Sequence, residues 1–253
     1  MRSLAGALCL VFTSHMALAH TPQIQHFDST QSYRITGVAT EVASGKPLYT
    51  EEHIVYEDGW HSVVYRDGDG DSFSVKELDY SITPIAPDVY QKNDRIAETF
   101  SIRKLRVNTR DSDSEGVSEA VDSQVIVAYQ KGHDTEERKV PLLFSDSTVI
   151  DAGFDYYIKQ HWQSLIDNKT KIFHYVVPTR QATVALSVYT VPCENLTHTC
   201  FRLRLKNRFL ALLLKPIDVA YETNTQRLMR FKGVSNIALA SGHYPYVIID
   251  YQY

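Results

Sequence analysis

Thr148 to Asn168, TVIDAGFDYYIKQHWQSLIDN, is the one long stretch of the chain with clear helical periodicity. Ile150, Phe154, Tyr157, Ile158, Trp162, Leu165 and Ile166 fall on one face of a helix, and Asp151, Asp155, Lys159 and Gln163 line the opposite face. Thr148, followed by Asp151, makes a capping-box-like start with a carboxylate near the positive helix end, and Asn168 followed by Lys169 suits the exit. A broad apolar stripe needs a surface to cover, and the flanking sequence reads as strand. The expected fold is therefore mainly β: a curved antiparallel sheet or incomplete barrel with one long helix packed on its concave face. A β-sandwich is the alternative.

Residues 1–19 carry Arg2, an apolar run from Leu4 to Phe12, and Ala17-Leu18-Ala19, the small-x-small pattern of a signal peptide. The expected mature chain starts at His20 and forms a single β-rich exported domain, 20–253, periplasmic or secreted. No apolar run approaches the roughly 20 residues a spanning helix needs, so no transmembrane segment is expected. Cys9 leaves with the signal. Cys193 and Cys200 remain, and two lone cysteines in an oxidising compartment are expected to pair as a disulfide clipping the loop CENLTHTC.

Charge is uneven along the chain. Residues 20–170 hold 15 Lys and Arg against 26 Asp and Glu, whereas residues 171–253 hold 10 against 4. The overall acidic balance and the lack of RNA-binding signatures argue against a nucleic-acid partner.

Strand-like segments run from SYRITGVATEV (32–42) through PLYTEEHIVYE (47–57), WHSVVYR (60–66) and SFSVKELDYS (72–81), punctuated by Gly45-Lys46, Asp58-Gly59 and Asp69-Gly70. With a two-residue turn at Asp58-Gly59, Tyr56 would face His61, Ile54 would face Val63 and Glu52 would face Tyr65. That more apolar face is assigned inward. The same register sends His53 and His61 to opposite faces, which disfavours a metal site between them. DGDGD (67–71) begins like a calcium loop, but Ser72 replaces the required glycine and Leu78 the bidentate Glu, so a hairpin turn is expected.

Pro84 and Pro87 mark a connection. Further strands are expected at 96–107, 123–129 and 138–143, with a polar acidic loop, TRDSDSEGVSEA (109–120), between the first two. After the helix, strands are expected at 171–177 and 182–191. In FRLRLKNR, Phe201, Leu203 and Leu205 alternate with Arg202, Arg204 and Lys206, giving one buried and one basic face. FLALLL (209–214) is either a lid over a cavity or plain core. Strands at 217–222, 227–233 and 246–253 end the chain. Asn168-Lys169-Thr170 and Asn195-Leu196-Thr197 match the glycosylation acceptor pattern.

The chain holds no G-x-S-x-G elbow, H-E-x-x-H helix, P-loop, dinucleotide fingerprint or C-x-x-C pair. No catalytic residue, metal ligand or cofactor is assigned. The expected role is a binding or carrier module for a lipid or other apolar small molecule. The alternatives are an enzyme with a site assembled from separate strands, or a structural factor with an envelope protein partner. Candidate cavity residues are Glu52, His61 and Tyr65, with Tyr157 and Trp162 from the helix. Arg202, Arg204 and Lys206 are candidates for an anionic head group at the rim.

LYTEEH (48–53), YRDGDG (65–70), LDYS with APD (78–88), VIDAGFDYYI with HW (149–162) and YETNTQRLMRFKGVSNI (221–237) together resemble a group of exported proteobacterial proteins of uncharacterised function. More distantly, the layout is similar to half-barrels of the lipoprotein-carrier type. That resemblance implies an apolar ligand held between sheet and helix.

Overall fold

The computed structural model describes residues 32–105, 124–133, 135–207 and 215–253. The expected signal peptide, the start at His20, the acidic loop 109–120 and FLALLL all lie outside the described residues.

The first half of the chain is a meander of eight strands: β1 Ser32–Glu41, β2 Pro47–Tyr56, β3 Trp60–Arg66, β4 Ser72–Asp79, β5 Asp88–Asn93, β6 Glu98–Lys104, β7 Gln124–Lys131 and β8 Arg138–Leu143. The second half supplies β9 Thr148–Val149, β10 Lys171–Val177, β11 Ala182–Val191, β12 His198–Leu205, β13 Ile217–Glu222, β14 Leu228–Val234 and β15 Tyr246–Gln252. They join in one sheet, in which β15 pairs with β1, so that β8 and β9 are the two edges. Each neighbouring pair is antiparallel except β9 and β10. The short strand β5 was not anticipated, because Pro84 and Pro87 obscure the alternation that begins at Asp88.

The two edge strands are consecutive in sequence. Five chain steps, from Leu143 to Thr148, span at most about 18 Å, so the sheet must curl until its edges approach. The side chain of Gln181, in the turn after β10, donates from Nε2 to Val127 O at 3.0 Å and Arg138 O at 2.8 Å. It thus reaches from one side of the seam to the strands of the other. The result is one large curved sheet that remains open, as the strand pattern predicts.

The expected helix is present but is shorter and divided. Thr148 and Val149 pair with β10, α1 covers Gly153–Gln160 and α2 covers Trp162–Ile166, with a break at His161. No capping box forms at Thr148, whose hydroxyl instead accepts from Ser145 N at 2.9 Å. The exit is as read: Asn168 takes a left-handed conformation at φ 60°. The start is docked by a close approach, since Gly153 lies against Ile85 O so tightly that a Cβ there would sit 2.1 Å from it.

Two elements pack on the concave side. Tyr157, Ile158, Trp162 and Leu165 pack with Phe173, Phe201 and Tyr221, and Trp162 meets Phe201 and Tyr221 edge-on at 5.1 and 5.5 Å. The connection between β14 and β15 packs over β5 and β6. There Asn93 Nδ2 donates to Ala238 O at 2.9 Å, Gln91 Nε2 to Asn236 O at 3.1 Å, and Tyr244 OH to both oxygens of buried Glu98 at 2.7 Å. Ile237 and Ala238 of this connection are fully buried. Cys193 and Cys200 form the expected disulfide.

Candidate functional site

The β2–β3 hairpin turns on three residues, Glu57-Asp58-Gly59, so that Val55 pairs with His61 and His53 with Val63. Gly59 adopts φ +92°, and Trp60 N is held by Asp58 Oδ1 at 3.1 Å. This is the longer hairpin in which glycine supplies the left-handed residue. The expected two-residue turn is one residue out of register, and a one-residue slip moves a strand's side chains to the other face. The separation of His53 from His61 is therefore wrong: both point inward, with His53 Nδ1 2.9 Å from His61 Nε2. Glu52 is likewise turned outward, where its Oε2 accepts from Arg66 Nε at 2.9 Å, and Glu51 takes the inward place.

Glu51, His53 and His61 form a line. His53 Nε2 donates to Glu51 Oε2 at 3.1 Å, and the same oxygen accepts from Tyr251 OH at 3.3 Å. The line depends on a missing side chain. Gly37 on β1 is paired with Glu51 on one side and Tyr251 on the other. A Cβ at Gly37 would lie 2.9 Å from Tyr251 Cε1, so the glycine lets the phenol ring lie across β1 towards the carboxylate.

Beside the line is a buried ion pair. Lys76 Nζ from β4 donates to both Asp151 oxygens at 2.9 Å, with 3% and 8% of the two side chains exposed. Asp151 sits between β9 and α1 at φ 45°, and its Oδ1 also accepts from Ala152 N at 2.8 Å. Such a pair is not strongly stabilising in itself, but either member alone would be an uncompensated buried charge.

Electrostatics follow from enclosure. Burial, then the neighbouring His53 and Lys76, push His61 down to about 3, so its ring is neutral at ordinary pH. Burial, reinforced by Glu51, holds the Tyr65 and Tyr251 phenols well above their usual range, and burial with Asp151 does the same for Tyr80 and Tyr175. His61, Tyr80, Tyr175 and Tyr251 are part-buried. Tyr80 and Tyr251 pack against one apolar cluster and Tyr175 against the other.

Of the sequence candidates, His61 and Tyr65 lie in this region. Tyr157 and Trp162 are in the aromatic cluster around the helices, and Tyr157 OH donates to Ile172 O at 3.0 Å. Arg202 and Arg204 occupy the face of β12 opposite the buried Phe201 and Leu203, and Lys206 follows the end of that strand. Arg202 is committed to Asp218 through two bonds of 2.6 and 2.9 Å. Glu51, His53, Lys76, Asp151, Tyr80 and Tyr251 were missed. The alternation Glu51-x-His53 could have found two of them, had the hairpin been given its three-residue loop. Among the described residues no group of three or more metal-ligating side chains is arranged to hold an ion, and no helix is long and apolar enough to cross a membrane.

The chain matches no family model and no curated protein. It is similar to a solved beta-barrel-like protein of domain of unknown function DUF1849 from Brucella abortus, with 11% identity over 87% of this chain and 93% of that chain and a TM-score of 0.38. A likeness at that level carries no functional argument.

Proposed function

We propose that the protein is an exported binding or carrier module that holds an apolar or amphipathic ligand on the concave side of its sheet. The ligand's polar group would lie against the Glu51–His53–His61 line. The observation that carries this reading is the inward-facing line of Glu51, His53 and His61, with the buried Lys76–Asp151 pair beside it. Sinking a carboxylate, two imidazoles and an ion pair into an apolar interior costs stability, and such costs concentrate at functional sites. The disulfide supports an oxidising compartment, periplasmic or secreted. The resemblance to lipoprotein-carrier half-barrels agrees with this reading and rests on the sequence alone.

Native mass spectrometry of gently purified protein, with organic extraction of the same sample, tests it. A recovered apolar ligand and uptake of a fluorescent fatty acid are expected. Repeated recovery of empty protein together with no uptake would remove the carrier reading.

A second reading, an acid–base enzyme, is favoured by the carboxylate-backed histidine pair, an arrangement that sets imidazole tautomers in catalytic sites. Its mark would be an extracted compound chemically altered on incubation with fresh protein and unaltered with H61Q.

A further inference from the structure

We infer that Glu51, His53 and His61 form a proton relay that converts His61 Nδ1 from a hydrogen-bond acceptor into a donor, so that the site selects the polar group of its ligand by protonation state. The inference rests on the binding reading above for its use, but the relay itself is a property of the protein.

The tautomers follow from the contacts. The Glu51 carboxylate only accepts, so His53 carries a proton on Nε2. With His53 neutral, its Nδ1 holds a lone pair, and the 2.9 Å contact then requires His61 Nε2 to donate. His61 is itself neutral, which leaves a lone pair on its Nδ1. In this state the end of the line accepts a hydrogen bond, as from a ligand hydroxyl or amide N–H.

One added proton reverses every bond after the first. A proton bound at His61 Nδ1 is matched by transfer of the His61 Nε2 proton to His53 Nδ1. His53 becomes the imidazolium, still donating to Glu51 from Nε2 and now donating to His61 from Nδ1. His61 ends neutral, with its proton on Nδ1, where it presents a donor to a carbonyl or carboxylate. One proton enters, one positive charge appears, and the charge resides on His53.

The surroundings favour that location. From β2, the Glu51 carboxylate faces His53. From β4, the Lys76 ammonium disfavours charge on His61, and Asp151, which would offset it, is bonded through both oxygens to Lys76. Tyr65 from β3, Tyr80 beyond β4 and Tyr251 from β15 surround the line as neutral phenols. His61 stacks on Tyr80 with ring centroids 6.2 Å apart, which leaves it little polar compensation for a charge of its own.

The test is histidine ¹⁵N NMR on the purified protein without added ligand, followed from pH 8 to pH 4, with H53Q and H61Q used to assign the signals. Expected is a single coupled transition in which His53 becomes doubly protonated while His61 moves its proton from Nε2 to Nδ1 and stays neutral. In E51Q the transition should shift to lower pH, because the carboxylate facing the cation is gone. The proposal is overturned if His61 keeps its Nε2 proton throughout, if His61 takes the charge, or if E51Q leaves the transition in place. None of these readouts depends on a ligand, so the relay can fail while the carrier reading stands, and the reverse.

Discussion

His53 and His61 touch diagonally: His53 is paired with Val63 and His61 with Val55, yet their ring nitrogens are 2.9 Å apart. Diagonal neighbours on one face of a twisted hairpin lie within reach of long side chains. The contact places two imidazoles and, through His53 Nε2, one carboxylate in a single hydrogen-bonded line.

Acid should destabilise the fold through His61. Its folded value is lowered from 6.5 to about 3, so its contribution is fully present above 6.5 and is lost as the pH falls towards 3. The unfolded chain lets this imidazole take a positive charge that the folded chain keeps off it. Melting temperature measured between pH 7 and pH 4 should fall, by the equivalent of a few kcal/mol in all. H61Q should flatten that dependence, and an equal slope in the variant would show that other groups cause it.

Breaking the buried pair should cost more than deleting it. K76M leaves Asp151 charged and unpartnered and should destabilise by about 3 to 5 kcal/mol. Adding D151N removes the stranded charge while keeping a residue type that tolerates positive φ. Urea unfolding should therefore find the double variant more stable than K76M alone.

Gly153 should admit no side chain. In G153A the new Cβ would have to displace the backbone oxygen of Ile85, 2.1 Å away, and backbone cannot swing aside as a side-chain tip can. A loss of about 1 to 3 kcal/mol or more is expected, as for overpacked interiors. A melting temperature equal to wild type would mean that α1 slides on the β4–β5 connection at no cost.

The Cys193–Cys200 bridge should appear as a two-hydrogen mass difference between intact and reduced protein. Replacing both cysteines with serine should lower stability by about 2 kcal/mol, since a short loop restricts the unfolded chain only modestly. Two free thiols in protein taken from its native compartment would contradict the pairing.

The signals legible in the chain were local. Alternation of apolar and polar residues marked most strands, glycine marked the turns, a 3-and-4 repeat marked α1 and α2, and two lone cysteines, Cys193 and Cys200, marked the bridge. Those signals arise from neighbours within a few residues. They carried the curved, mainly β architecture and put His61 and Tyr65 on the inner face.

Long-range packing settled what those signals left open. Whether β2 meets β3 through two or three turn residues is a small difference in local energy, yet it moves His53 from one face to the other and exchanges Glu52 for Glu51. Closer packing of the inward set and the strand contacts of β1 and β4 settle that register. Lys76 and Asp151 are 75 positions apart, and Tyr251 reaches Glu51 across 200 positions. Only the curl of one continuous sheet, with Gly37 leaving room for a ring, brings those groups together.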